Sequence, residues 1–197
     1  MIEQTPFYRR CFKIATFLFR IFYNLKVVGH ENVGKGAAMV CANHSSLLDP
    51  IFIGLAFGDN IQLRFVAKAE LFKTPIVSWL VKGLGAISTD RTRADITTIK
   101  QSLVLLKKGA KVAIFPEGTR QSEDNEEGAK HGAIRIAERA EAPIIPVFLP
   151  RKKPLFSKVT IVIGKPYTIA RQKVKRVYED YERLSLELMR KIFALSP

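Results

Sequence analysis

A histidine and an aspartate lie five positions apart in the segment NHSSLLDP, residues 43–50, between an apolar run and a helical pattern. An imidazole held by a carboxylate is a competent general base, because the reference pKa of histidine is about 6.5. Positions i and i+5 of a helix lie about 140° apart, so His44 and Asp49 can meet only if the segment is a loop. Pro50 favours a helix that begins there. The alternative is that Asp49 only caps this helix.

A carboxylate and a guanidinium are presented together by the motif FPEGTR, residues 115–120. A strand pattern stops there at Pro116, and the chain turns at Gly118. Such a carboxylate can accept a hydrogen bond from a hydroxyl group, and a guanidinium binds phosphate through two parallel hydrogen bonds. The segment GAISTDR, residues 85–91, likewise places Arg91 just after a strand pattern. Taken singly, each of these residues is equally well explained by a surface ion pair.

Short apolar runs alternate with helical patterns along the chain, and these elements must position the candidate residues. The predicted strands are 25–28, 37–42, 63–67, 85–88, 112–115, 144–149 and 159–163. The predicted helices are 50–57, 75–81, 94–108, 130–140 and 171–195. This alternation predicts a single-domain α/β fold with a largely parallel or mixed sheet flanked by helices. Sites in such folds lie at the carboxyl ends of the strands.

A Phe-rich segment, residues 7–26, has the period of an amphipathic helix. Its polar stripe contains Arg9, Lys13, Thr16, Arg20 and Asn24. Its apolar side contains Phe12, Leu18, Phe19, Phe22 and Leu25. The uncharged stretch before Arg20 is too short to span a bilayer, and no signal-peptide cleavage site follows. We predict that residues 1–26 form an interfacial membrane helix attached to a domain at 27–197. The alternative is a helix packed on the domain's own core.

Together these segments resemble, in order, the four sequence blocks of the glycerolipid acyltransferase family, especially the lysophosphatidic acid acyltransferases. The blocks are His-x4-Asp, the segment ending in Arg91, FPEGTR and the run APIIPV at 142–147, and the resemblance covers residues 25–166. It implies that His44 and Asp49 are the catalytic pair. The implied substrate-binding residues are Lys68, Arg91, Glu117, Gly118, Thr119 and Arg120.

The resemblance implies transfer of a fatty acyl group from an acyl carrier protein or coenzyme A thioester to the free hydroxyl of 1-acyl-glycerol-3-phosphate. The product would be phosphatidic acid, in phospholipid biosynthesis. His44 would act as the base and Asp49 would orient its imidazole, without a metal or other cofactor. The implied location is the cytoplasmic face of the cell membrane, with peripheral or monotopic attachment. The alternatives are another lysolipid or glycerol-3-phosphate as acceptor, or a catalytically silent protein that binds anionic lipids.

The 197-residue chain has a net charge of +14, from 32 Lys and Arg against 18 Asp and Glu, which predicts a polyanionic partner. Between Ala142 and Tyr178 there is no acidic residue. The basic residues of this stretch are Arg151, Lys152, Lys153, Lys158, Lys165, Arg171, Lys173, Lys175 and Arg176. They are explained by a solvated face, by binding to an anionic membrane surface, or by docking of an acidic carrier protein or of coenzyme A phosphates.

Other chemistries are less well supported by the sequence. A serine hydrolase of the Gly-x-Ser-x-Gly type is not expected, since that string does not occur. The segment GHENVGKG at 29–36 has Gly36 where a P-loop needs Ser or Thr. Two cysteines and three histidines provide neither a CxxC nor an HExxH metal site. Nucleic acid is not expected as a partner, because no recognisable reader motif accompanies the positive charge.

Overall fold

The computed structural model of the chain describes residues 4–89, 96–172 and 176–197, and it contains one seven-stranded sheet in the order β1-β7-β6-β2-β5-β3-β4. The strands are β1 (Asn24–Val28), β2 (Ala38–Ala42), β3 (Arg64–Lys68), β4 (Ile87–Thr89), β5 (Lys111–Ile114), β6 (Ile144–Phe148) and β7 (Lys158–Ile163). The helices in these residue ranges are α1 (Pro6–Phe22), α2 (Asp49–Phe57), α3 (Pro75–Gly83), α4 (Ile96–Lys107), α5 (Gly132–Ala140) and α6 (Tyr178–Phe193). The predicted α/β class is confirmed.

Strand β2 lies at the centre of the sheet and runs parallel to both of its neighbours. It pairs with β5 from Ala38 opposite Lys111, and with β6 from Met39 opposite Ile144. Strands β3 and β4 continue the parallel part, whereas β7 is antiparallel to β6, so the sheet is mixed. The carboxyl ends of β2, β3, β5 and β6 therefore lie along one edge, where sites gather in sheets of this kind.

Strand β2 is buried on both faces, which explains why its sequence AMVCA is continuously apolar. Val40 and Ala42 face a core that includes residues of α2, while Met39 and Cys41 face a second core with α5 and α6. Burial raises the pKa of the Cys41 thiol, so this cysteine stays protonated and serves packing.

Helix α1 ends at Phe22, before the end of the predicted segment 7–26. The backbone N–H of Asn24 donates to the carbonyl of Ser157 at 3.0 Å, and residues from Asn24 onward pair with β7. Asn24 and Leu25 therefore lie on β1, and their predicted places on the helix were wrong. These residues form a strand instead of continuing the helix, because the apolar residues after Asn24 can be half-buried in the sheet.

Helix α1 has two apolar faces rather than one. Phe19 of its inner face meets the ring of Phe52 edge-on at 4.9 Å between centroids, and the Tyr8 hydroxyl donates to the carbonyl of Ile61 at 2.8 Å. The outer face exposes a second apolar set: Ile14, Phe17, Leu18 and Ile21. One face thus packs on the domain's core, and the other has no cover in the described structure.

Across the described ranges, no helix combines the length and the apolar character needed to cross a membrane.

Helix α6 begins at Tyr178 rather than near residue 171. Just before it, the Arg176 guanidinium donates through Nε to Glu138 at 2.7 Å, and the Tyr181 hydroxyl donates to the same carboxylate at 3.0 Å. The entry into the helix is therefore fixed by a side chain of α5. Val174, which the helical pattern also included, lies outside the described residues.

Candidate active site

The segment that carries the histidine is fixed to the central strands by the buried side chain of Asn43. Its amide nitrogen donates to the carbonyl of Leu149 at 2.7 Å, and its oxygen accepts from the N–H of Leu149 at 2.8 Å. Asn43 follows β2 and Leu149 follows β6. This pair of hydrogen bonds holds the carboxyl ends of the two strands together, immediately before His44.

His44 and Asp49 are in contact, as the loop hypothesis requires. His44 Nδ1 lies 2.9 Å from Asp49 Oδ2, and the same oxygen accepts hydrogen bonds from the N–H groups of Ser45 and Ser46, each at 2.7 Å. Asp49 is 0% exposed. Helix α2 has Leu48 at its N-cap, so the Asp49 carboxylate binds the preceding loop instead of capping the helix.

The surroundings keep Asp49 ionised. Burial alone raises the pKa of this carboxyl, but the hydrogen bond with His44, the charge of Lys153 and the two loop N–H groups outweigh it and lower the pKa below its ordinary value. Ionised Asp49 can only accept, so Nδ1 of a neutral His44 carries the proton and donates it. Nε2 then holds a lone pair, which is the state that a general base requires.

The imidazole of His44 is also held by an aromatic ring. It stacks on Phe115 with 4.0 Å between ring centroids and 16° between planes, and Phe65 lies 6.2 Å beyond Phe115. Phe115 follows β5 and Phe65 belongs to β3. Three neighbouring parallel strands thus contribute to the position of one ring.

Glu117 of the FPEGTR motif is buried beneath the histidine loop. Its side chain is only 3% exposed. One carboxylate oxygen accepts from the backbone N–H of His44 at 2.7 Å, and both oxygens accept from the Arg151 guanidinium. The sequence predicts that Glu117 binds substrate; in the structure its carboxylate is already engaged by the protein.

Arg151 joins the two motifs that carry the site. Its Nη1 donates to the carbonyl of His44 at 3.0 Å as well as to Glu117, and its Nε donates to Asp124 at 2.6 Å. Burial alone lowers the pKa of Arg151, but the bonds to Glu117 and Asp124 outweigh this and raise it. A charged guanidinium is therefore built into the base of the site.

Lys153 approaches the Asp49 carboxylate from the side opposite His44. Its ammonium forms an ion pair with Asp49 Oδ1 at 2.9 Å and donates to Ser45 Oγ at 2.9 Å and to the carbonyl of Pro150. The side chain is 4% exposed. Lys153 therefore belongs to the interior of the site and not to a solvated basic face.

Sequence reasoning missed the positions of Arg151 and Lys153, because it treated their basic stretch as one surface. A usable signal was present: both residues follow β6, whose apolar run was predicted. If β6 lies beside β2 in a parallel sheet, residues just past its carboxyl end must lie near those just past β2. The missing information was the strand order.

The other predicted site residues are on the surface around this centre. Gly118 makes the turn with a φ of 73°, in the left-handed region that favours glycine. Thr119, Arg120 and Lys68 are exposed, with Lys68 at the carboxyl end of β3. No hydrogen bond or ion pair to another described residue occupies the guanidinium of Arg120 or the ammonium of Lys68. Arg91 lies outside the described residues.

An apolar groove of about 330 Å³ begins beside the histidine loop. Its walls come from α1, α2, α3 and β3 and include Phe12, Leu18, Pro50, Ile51, Gly54, Phe65 and Leu80. Pro50 and Ile51 directly follow Asp49, and Phe65 reaches His44 through the stacked ring of Phe115. The groove therefore leads from the residues that follow Asp49 to the exposed face of α1. A metal site is not formed: the described residues contain no group of three His, Cys, Asp or Glu side chains able to bind an ion.

The fold and the site together define a class: an α/β protein with a histidine–aspartate pair at the carboxyl edge of a central parallel strand. The chain belongs to the Acyltransferase family, whose profile matches residues 24–149, more than half of the sequence. Its resemblance to glycerolipid acyltransferases is confirmed by these comparisons. It is 33% identical over 165 residues to a 1-acyl-sn-glycerol-3-phosphate acyltransferase of Bacillus subtilis, with 81% of each chain covered.

Two further comparisons extend this relationship. The chain is 33% identical over 132 residues to a chloroplast 1-acyl-sn-glycerol-3-phosphate acyltransferase of Arabidopsis thaliana, covering 65% of this chain and 36% of the plant protein. It thus spans only about a third of that relative's length. The crystal structure of the 1-acyl-sn-glycerophosphate (LPA) acyltransferase PlsC from Thermotoga maritima is similar with a TM-score of 0.70 and 28% identity, covering 95% of this chain and 79% of that one.

Proposed function

We propose that the protein transfers a fatty acyl group from a thioester of acyl carrier protein or coenzyme A to the free hydroxyl of 1-acyl-glycerol-3-phosphate. The product is phosphatidic acid. The observation that carries the proposal is the buried His44–Asp49 pair, which leaves Nε2 of the imidazole without its proton. The names of the relatives from Bacillus subtilis and Thermotoga maritima support the choice of acceptor.

The chemistry needs one base and no covalent enzyme intermediate. His44 Nε2 removes the hydroxyl proton of the acceptor while the oxygen attacks the thioester carbonyl carbon. The tetrahedral adduct collapses, the C–S bond breaks, and the thiolate takes the proton from His44. Asp49 stabilises the imidazolium between these two transfers. A positioned general base of this kind typically contributes about 10²–10⁴-fold in rate.

The acceptor phosphate is bound by cations whose charges are not used within the described protein. Arg120 and Lys68 are exposed at the carboxyl edge of the sheet, on the segments that follow β5 and form the end of β3. A guanidinium pairs with phosphate through two charge-assisted hydrogen bonds. Gly118 and Thr119 form the turn that presents Arg120, and Arg91 is proposed as a further phosphate ligand on sequence grounds alone.

The fatty acyl chain lies in the apolar groove between α1, α2 and α3. Pro50 and Ile51 place one end of the groove directly after Asp49, so a chain lying in it would have its carbonyl near His44. Removal of each methylene from water contributes about 0.8 kcal/mol. Binding of the chain can therefore hold the thioester in place during attack.

The protein docks on an anionic membrane surface through the exposed apolar face that surrounds the groove. Phe17 of α1 is 67% exposed and Trp79 of α3 is 65% exposed, and Trp79 contacts Phe7 edge-on at 4.8 Å. Apolar side chains of this kind enter the boundary between headgroups and acyl chains, and the net charge of +14 favours an anionic leaflet. We place the enzyme on the cytoplasmic leaflet, attached as a peripheral or monotopic protein.

The proposal is tested by thiol release from acyl-coenzyme A and from acyl carrier protein thioesters, with and without lysophosphatidic acid in mixed micelles. His44→Ala is compared with His30→Ala, an exposed histidine on the loop between β1 and β2. We expect acceptor-dependent release with at least one donor, unchanged in His30→Ala and reduced about 10³-fold or more in His44→Ala. Absence of release with both donors would leave a lipid-binding protein as the function. Release that does not need the acceptor would indicate thioester hydrolysis, and a His44 variant that equals the parent protein would contradict the His44–Asp49 mechanism.

A further inference from the structure

The proposed mechanism gives no role to Lys153, yet its ammonium occupies a site built from three oxygens. Two of them, Asp49 Oδ1 and Ser45 Oγ, lie at 2.9 Å, and the third is the carbonyl of Pro150. Removing an ammonium from water is unfavourable unless its charge is compensated. Here the compensating charge is the carboxylate that orients the proposed base.

The two oxygens of Asp49 are divided between opposite partners. Oδ2 faces His44 Nδ1 and the loop N–H groups, whereas Oδ1 faces Lys153. The contact with Oδ1 is an ion pair and not a well-aligned hydrogen bond, since Oδ1 has no hydrogen-bond partner. Lys153 therefore acts on Asp49 mainly through its charge, from the side away from the imidazole.

This charge changes what Asp49 does to the histidine. An isolated buried carboxylate favours the imidazolium form of its neighbour strongly, and a histidine that keeps its proton cannot serve as a base. A cation on the far oxygen offsets part of that attraction. Among the described residues, the other charged groups in contact with His44 are Glu117 and Arg151, which pair with each other and contact its backbone.

Lys153 also fixes the loop that surrounds the carboxylate. Its ammonium donates to Ser45 Oγ, that hydroxyl donates to the carbonyl of Arg151 at 3.0 Å, and the N–H of Ser45 donates to Asp49. The chain segments after β2 and after β6 are thus joined on both sides of Asp49. Exposed Lys152, the next residue along the chain, takes no part in these contacts.

We infer that Lys153 is a positioning residue of the reaction, which keeps Asp49 ionised and limits how strongly that carboxylate holds a proton on His44. The inference rests on the proposed function of His44 as the base. It extends the catalytic unit to a chain of three side chains, Lys153–Asp49–His44, of which only His44 meets the substrate.

The test compares Lys153→Met and Lys153→Arg with the parent protein, using Lys152→Met as a matched control that removes the same charge one residue away. The pH dependence of kcat/KM is measured for each, together with thermal unfolding. In Lys153→Met we expect the acid limb of the profile to move to higher pH by about one unit, a tenfold change in a protonation equilibrium. Activity then falls roughly tenfold at pH values well below this limb, and by progressively less at higher pH. Lys153→Arg keeps the acid limb of the parent even if its kcat is lower, and Lys152→Met behaves as the parent does.

The outcomes separate this inference from the proposed function. If the parent protein is active and His44→Ala is not, but Lys153→Met keeps the parental pH profile, Lys153 is only a packing residue and the inference fails. If the parent protein shows no acyl transfer, or His44→Ala retains it, the proposed function has failed instead. If Lys153→Met does not fold, Lys153→Gln replaces it, since glutamine lacks the charge but can still donate to Ser45.

Discussion

At the scale of single residues, the site is organised around the backbone of His44 as much as around its ring. Glu117 accepts from its N–H and Arg151 donates to its carbonyl. The two side chains are also paired with each other. Glu117 and Arg151 thus fix each other and the backbone of His44. A substitution of either residue should therefore disturb His44 without the need for any contact between that side chain and the substrate.

Glu117→Gln tests whether this carboxylate positions the base or binds the acceptor. The change leaves the guanidinium of Arg151 without its nearest charge, so we expect the free energy of unfolding to fall by about 1–3 kcal/mol. kcat should fall while the KM for lysophosphatidic acid changes little. Chemical denaturation and steady-state kinetics measure both, with the exposed Glu123→Gln as control. A large rise in KM with unchanged stability would instead support the substrate-binding role predicted from sequence.

The lowered pKa of Asp49 makes a second prediction at this scale. Because the folded pKa lies below the ordinary value of 3.8, ionised Asp49 contributes stability that is fully present above that value and is lost as the pH falls through the folded pKa. Asp49→Asn should therefore be less stable than the parent near neutral pH, and the difference should shrink in strong acid. Urea unfolding from about pH 7 to about pH 2 measures it. Asp59→Asn, at an exposed position, controls for the loss of a carboxylate, and a difference that grows in acid would contradict the assignment.

At the scale of elements, helix α2 connects the His44–Asp49 pair to the apolar groove. It begins at Asp49, and its residues Ile51, Gly54 and Leu55 line the apolar groove. One short helix therefore sets the distance between the Asp49 carboxylate and the wall of the groove. Chain-length preference should depend on side chains along this helix.

Gly54→Leu tests the groove as the acyl-chain site. A Cβ added at Gly54 meets no atom within 4 Å, so the helix accepts a side chain that then occupies the groove. We expect kcat/KM for long-chain thioesters to fall about tenfold or more, while short-chain thioesters react as before, because only long chains need the filled space. Gly54→Ala is the matched control, and it should gain about 0.5–1 kcal/mol of stability from better helix propensity. Equal losses for all chain lengths would place the acyl chain elsewhere.

At the scale of the whole molecule, many exposed apolar side chains surround the groove, while others, such as Ile96 and Val104 of α4, lie elsewhere. The exposed set around the groove comes from α1, from the start of α2 and from α3: Ile14, Phe17, Leu18, Ile21, Leu47, Ile51, Ile76 and Trp79. Helix α4 packs on the other face of the sheet, within the second core. The proposed membrane face is therefore the side formed by α1, α3 and the start of α2, and the groove lies within that side.

The double variant Phe17→Ser/Ile21→Ser tests this membrane face. Transfer of an apolar side chain of this size from water into the bilayer is favourable by about 1.5–3 kcal/mol. Loss of both side chains should therefore weaken binding to anionic liposomes about a hundredfold. Sedimentation with vesicles measures the binding. Soluble short-chain substrates should still react, since neither residue contacts the catalytic pair. Ile96→Ser/Val104→Ser removes exposed apolar side chains from α4 and is the matched control; an equal loss in the control would contradict a defined face.

The sequence by itself determined the class of the fold and most of the strands and helices, because apolar period and proline position are local properties of the chain. The spacing of His44 and Asp49 left open whether Asp49 only caps a helix, and the family resemblance indicated that the two residues form a pair. The tertiary structure alone decided two features: the contact between Glu117 and Arg151, and the position of Lys153 next to Asp49. Both depend on β6 lying beside β2 in parallel register, which brings residues more than a hundred positions apart to one edge of the sheet. Strand order is a property of the whole packed core, so no local pattern in the basic stretch separates its buried cations from its solvated ones.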